Sequence, residues 1–300
     1  MLIIPANSAQ ALISPQNAIF GFGYYSSGYT AITNLVNSSG VVASDTSGVG
    51  TARGQLAAAM YGGDKAIFGY GSGYSNTTNL VNNSGVVGAD VSGVGTARGG
   101  INAAGYGNDK AIFAYGHGGS YTAISNLVNN VGVVGTDVAG VGTARRFLGS
   151  ATYGTDKAIF GFGYLDGGPS TSVTNLVNNS GVVASDVSGV GTARSFLGAA
   201  GYGSDKAIFA YGYTSGDALT SVSNLVSNSG VVASDVSGVG TARKNIAGTS
   251  YGGDKAIFGY GTTGSYTAIT NLVNNSGVIG ADVTGVGTTR DVLAAAGYSY

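Results

Sequence analysis

The chain has 300 residues, 43% of them apolar, with 55 glycines and neither cysteine nor tryptophan. Its 14 acidic residues are all aspartate and face 13 basic ones, so the net charge of −1 argues against a nucleic-acid binder driven by phosphate contacts. Glycine without a G-X-Y period excludes collagen, the absence of cysteine excludes a disulfide framework, thiol catalysis and a thiolate metal site, and no apolar run approaches the roughly 20 residues of a bilayer span.

In chain order, the opening "MLIIPANSAQALIS" lacks a positive n-region and carries Pro5, which makes it a poor signal peptide. Residues 1–16 are expected to be a leader, and residues 17–300 a single repetitive unit. The anchor "AIF" recurs at Ala18, Ala66, Ala111, Ala158, Ala207 and Ala256, at spacings of 48, 45, 47, 49 and 49 residues. Each copy continues through a variable loop to "NLV", then to "GVV" or "GVI", an Asp, and "GVGT" before an Arg. The loops are 10, 7, 9, 11, 11 and 9 residues long; subtracting the first five from the spacings leaves 38 each time. All length variation therefore sits in one segment of an otherwise constant unit, as for a surface loop on a rigid scaffold.

Four short strands are expected per copy, separated by Gly, Asn, Ser and Asp turns. "KAIFGYG" is the second strand, "TNLVNN" the centre of the third, "GVVASDV" the fourth, and "LAAAGYG" the first, or inner, strand. Simple alternation puts Phe68 and Tyr70 on one face of the second strand and Ile67 and Gly69 on the other. Both faces are apolar or small, which suits a sheet packed between two others. The Ala-rich inner strand is too short for the helix its propensity favours.

Six such units predict an all-β, six-bladed β-propeller of four-stranded antiparallel blades, with the small residues of the inner strand in the crowded centre. An open β-solenoid is the alternative, but it needs atypical end caps. The first copy begins at its second strand, "NAIFGFG", and the last ten residues, "DVLAAAGYSY", are an unaccompanied inner strand. In a ring that strand completes the first blade, and closure removes free sheet edges. Copies two to six carry Asp-Lys before "AIF", whereas the first has Gln16-Asn17, as expected where no turn from an inner strand is needed.

The series "KAIFGYG", "NLV", "GVGTAR", "LAAAGYG" resembles the kelch-type propeller repeat across residues 17–300. It departs from it in having no Trp in the fourth strand and a split Gly-x-Gly in place of paired glycines. The texture "DKAIFGYG…TNLVNNSGVV…GVGTAR" also resembles propeller repeats encoded by environmental bacteriophages, which implies a virion or extracellular setting and an adhesin or receptor-binding role.

Two segments differ between copies: the loop after the second strand and the residue pair after each repeated Arg. Connections in an antiparallel blade alternate ends, so both variable segments are expected on one rim and the uniform turns on the opposite face. Tyr, Ser, Gly, Asn and Thr dominate the variable loops, the palette of antibody paratopes. The expected ligand-binding residues are Tyr24, Tyr25, Tyr29, Tyr74, His117, Tyr121, Tyr164, Asp166, Tyr213, Asp217 and Tyr266. Nearer the channel, Gln55, Arg146, Phe147, Phe196, Lys244 and Asn245 join them. The competing reading is drift of unconstrained loops.

The repeated arginines (Arg53, Arg98, Arg145, Arg194, Arg243, Arg290) could form a cationic ring that holds an anion, with the repeated aspartates (Asp45, Asp90, Asp137, Asp186, Asp235, Asp282) opposing them. Sixfold recurrence favours structural pairs between blades instead. The recurrent Tyr61 and Phe20 series read as blade core, and no Lys or helix follows Gly-x-Gly as a phosphate loop requires. With one His, no Glu and no metal-ligand cluster, no catalytic residue, cofactor or metal is expected; Asp166 and Asp217, in the long loops of adjacent repeats, could pair as in a glycosidase. The sequence thus points to a non-enzymatic recognition module for a glycan or a surface protein, with no nucleic-acid partner and no membrane insertion. A ligand-free scaffold and, behind it, a glycoside hydrolase stand as the alternatives.

Overall fold

A computed structural model describes residues 15–299; most of the expected leader, residues 1–14, lies outside the described residues. The protein is all-β, and its described residues contain no helix. Each repeat forms a small antiparallel sheet in the order inner, second and third strand. In the second repeat these are Ala57–Tyr61, Lys65–Gly71 and Ser75–Val81, with Ala58 opposite Phe68 and Phe68 opposite Asn79. The first sheet takes its second and third strands from Asn17–Tyr25 and Gly28–Val36, and its inner strand from Ala294–Tyr298. The register runs from Asn17 opposite Tyr298 to Gly21 opposite Ala294.

The second strands are buried on both faces: Ala18, Ile19 and Phe20 are all 0% exposed. Side chains of neighbouring repeats meet in apolar clusters. Ile19 and Phe22 pack with Phe68 of the second repeat, while Ala18 and Phe20 pack with Ile257 and Tyr260 of the sixth. The strand Ala294–Tyr298 lies beside both Ala57–Tyr61 and Ala247–Tyr251. Tyr61 and its counterparts are buried as expected.

Two expectations about the strands are corrected. Phe68 and Tyr70 do not share a face: Phe68 packs toward the first repeat and Tyr70, with Ile67, toward the third. The pairing register slips between Gly69 and Gly71, and Tyr70 sits at φ 64° with Gly71 at φ 131°. This bulge reverses the alternation, and it recurs with left-handed Phe22, Tyr115, Phe162, Tyr211 and Tyr260. The glycine that closes each of these segments therefore marks a bulge whose last residue needs a φ that glycine tolerates; the first position is Ala114 in the third repeat and Ala210 in the fifth.

The fourth strand is not a continuous ladder. In the first repeat it touches the third strand only at the bridges Val36–Val42 and Thr33–Thr46, which are offset by one residue. The fully buried Asn34 fills the gap, its Nδ2 donating to the Ala43 carbonyl at 3.0 Å and to Asp45 Oδ1 at 2.9 Å. A side-chain amide there replaces a backbone bond, a substitution that propensity cannot reveal.

Candidate functional site

The repeated arginines do not form an anion ring. All six are at most 2% exposed, and each is a rivet between adjacent repeats. Arg53 donates from Nε to the Tyr70 carbonyl (2.8 Å), from Nη1 to Thr51 O (3.0 Å) and from Nη2 to Asn79 Oδ1 (2.7 Å). Its guanidinium lies 4.5 Å from the Phe22 ring centroid. Asn79 passes the connection on to Asp90, whose carboxylate also accepts the Thr51 amide and hydroxyl. Arginine and aspartate are thus coupled through an asparagine rather than paired directly. Burial pushes the Arg53 guanidinium down to about 10, opposed by the charge of Asp90, so it stays charged at neutral pH. In the fifth repeat the link is broken: Arg194 turns to the Phe209 carbonyl, and Asn224 Oδ1 has no partner.

Both variable segments converge, because the bulged end of each second strand pairs with the residue after the preceding arginine. Tyr24 bridges Asp291, His117 bridges Gly99, Tyr164 pairs with Arg146, Tyr213 with Ser195, and Thr262 bridges Lys244. One residue further on, Gln55, Gly100, Phe147, Phe196, Asn245 and Val292 all adopt left-handed φ values between 45° and 62°. Their backbones join head to tail: Gly100 donates to Gln55, Phe147 to Gly100, Phe196 to Phe147, Asn245 to Phe196, and Gln55 to Val292. This chain of bonds holds the predicted central residues close together.

The aromatic side chains form three groups. Tyr24 packs edge-on against Tyr29 at 5.0 Å and Tyr266 at 6.1 Å, while Tyr25 lies half-buried in the same hairpin. In the second group His117 sits between Tyr74 and Tyr121, with Nδ1 3.2 Å from the Tyr74 hydroxyl. In the third Phe147 and Phe196 stack at 4.1 Å, with Tyr164 beside Phe196. Arg146 lies 5.0 Å from the Tyr121 centroid and 4.7 Å from that of Phe147; Lys244 lies 4.1 Å from Tyr213 and 5.9 Å from Phe196.

Asp166 and Asp217 are exposed and serve different neighbours. Partial desolvation raises the Tyr213 phenol, and a hydrogen bond to Asp217 raises it further. Asp166 adds to the desolvation that raises Tyr121, which the charge of Arg146 opposes.

Two features lay outside the sequence-based site. Asp291, next to the predicted pair Lys244 and Asn245, is 7% exposed and accepts a 2.7 Å bond from Asn245. Burial raises its carboxyl, against the bond from Asn245 and the charge of Lys244. Its place in the Arg-x-x series was visible, but its burial was not. A cavity of about 720 Å³ lies at the opposite, uniform end, lined by all six inner strands and by turns such as Gly62, Gly107 and Lys206. Its lining combines the small residues of the inner strands with turn residues that recur from copy to copy, such as Lys110 and Lys206, so nothing singled it out in sequence. Neither a protein-family model nor a curated protein sequence matches this chain.

Proposed function

We propose that the six sheets close into a β-propeller whose first blade is completed by Ala294–Tyr298, and that its variable rim is a non-enzymatic recognition surface for a glycan or a surface protein. Closure is supported by bonds at the sixth-to-first step that match those at other steps, while in the chain of left-handed residues that step is carried by the Asn245 side chain donating to Asp291. Gly62 donates to Asp109 O, Gly203 to Asp254 O, and Gly252 to Gln16 O, so the carbonyl of Gln16 does what the turn aspartates do elsewhere. Arg290 likewise reaches Phe22 and Asn34 as Arg53 reaches Tyr70 and Asn79.

The observation that carries the recognition reading is the asymmetry of the rim. The repeats keep their internal networks nearly identical, yet the rim is neutral and tyrosine-rich at Tyr24, Tyr29 and Tyr266 and cationic at Arg146 and Lys244. A spacer has no need of that difference. Half-exposed aromatic rings offer rigid contact area at low entropic cost. The resemblance to phage-encoded repeats fits a receptor-binding part of a virion appendage. The test is a glycan and cell-surface binding screen with the intact chain and with variants whose variable loops are exchanged between repeats. Binding that follows the exchanged loops supports the reading; binding indifferent to them, or none, overturns it in favour of a scaffold.

A further inference from the structure

Thirteen basic residues are present, and the repeats absorb eleven of them. Six are the buried arginines. Five are Lys65, Lys110, Lys157, Lys206 and Lys255, each bridged to the preceding aspartate at 2.7–3.2 Å. The two left over, Arg146 and Lys244, both stand on the rim. Neither makes an ion pair among the described residues, and Arg146 Nε is buried without a hydrogen-bond partner. Of the nearby acids, Asp291 is buried against Asn245 and feels the charge of Lys244 without bridging to it, and Asp166 and Asp217 are exposed and bridged to neither cation.

The two cations flank the stacked Phe147–Phe196 pair, one beside each ring. Resting on the recognition reading above, we infer that this part of the rim binds a saccharide bearing a carboxylate, such as a uronate. The apolar face of the sugar lies on the phenylalanine pair and Tyr121. Its carboxylate meets the guanidinium of Arg146, whose planar fork suits two parallel N–H···O bonds. Lys244 supplies a second, less directional positive charge to the next acidic unit.

The test is equilibrium binding of the intact chain to three oligosaccharide sets of matched length: oligogalacturonate, its methyl ester, and a sulfated neutral galactan, with unsulfated galactan as reference. Oligogalacturonate is expected to bind about tenfold or more tighter than its ester, with the preference weakening as salt rises. Arg146→Gln should abolish the acid-over-ester preference while Lys206→Gln, in a turn at the opposite end of the sheets, leaves the ratio unchanged. Unaltered thermal unfolding of both variants confirms that they fold. Equal binding of acid and ester, a stronger preference for sulfate, or an Arg146→Gln variant that keeps the preference overturns the inference while the recognition reading stands. Absence of binding to every set overturns the inference, and the loop-exchange screen then decides the recognition reading separately.

Discussion

Replacing Arg290 by methionine tests whether the step from the last repeat to the first is a structural joint like the others. Arg290 is 0% exposed and donates to Phe22 O at 2.8 Å, Thr288 O at 3.1 Å and Asn34 Oδ1 at 2.8 Å, with Tyr260 4.3 Å beneath its guanidinium. Methionine keeps part of the apolar contact but strands the Phe22 carbonyl and Asn34 Oδ1, at about 1–3 kcal/mol for each buried unsatisfied group. Adding the lost ring contact of about 1 kcal/mol gives a net cost of about 3–7 kcal/mol. With 300 residues and roughly 2.1 cal/mol/K of unfolding entropy per residue, Tm should fall by about 5–11 °C. Arg98→Met is the matched control, since Arg98 makes the same bonds to Tyr115, Thr96 and Asn126. The two differ in sequence separation, 28 residues from Arg98 to Asn126 against 256 from Arg290 to Asn34. Thermal unfolding by circular dichroism of both variants should give similar losses. A destabilised Arg98→Met beside an Arg290→Met that melts like the parent would refute closure through this network.

Three further outcomes follow from the same contacts. Burial alone would raise Asp45, but bonds from Thr288 and Asn34 hold it below its ordinary 3.8, and Asp90, Asp137, Asp186, Asp235 and Asp282 behave alike. Because these folded values lie below the unfolded one, their stabilisation is complete above 3.8 and is lost as pH falls from there through the lowered folded values. Stability should therefore drop steeply below about pH 4, and Thr288→Val should move the acid-unfolding midpoint upward. Asp291 has the opposite sign: burial raises it, so its favourable contribution is complete below 3.8 and is lost as pH rises. Asp291→Asn should melt higher than the parent at pH 7, with the gap closing in acid; an equal gap at both pH values would contradict this. Val292, a β-branched residue at φ 45°, occupies the position that asparagine holds as Asn245 at φ 57°. Val292→Asn should stabilise by about 1 kcal/mol through relief of left-handed strain, measured by urea unfolding.

Much of the architecture is legible in the sequence because repetition reports it six times over. The anchor spacing, the constant 38 residues and the Ala- and Gly-rich inner segment specify the repeat, its strands and the one segment free to vary. The nearness of each variable loop to the residue after an arginine, as at Tyr24–Asp291 and Tyr164–Arg146, was likewise readable from loop connectivity. Period-two alternation fails at Tyr70 because a single left-handed residue inverts every facing after it, and residue identity only permits such a φ without dictating it. The partners of Arg290 lie more than 250 residues away, so whether it held a ligand or a carbonyl could be decided only once Phe22 and Asn34 were brought beside it. The same holds for Arg146 and Lys244. Sequence places each directly after a repeated arginine, but their lack of an ion pair among the described residues is a property of the folded surface, where distance and burial govern which charges are neutralised.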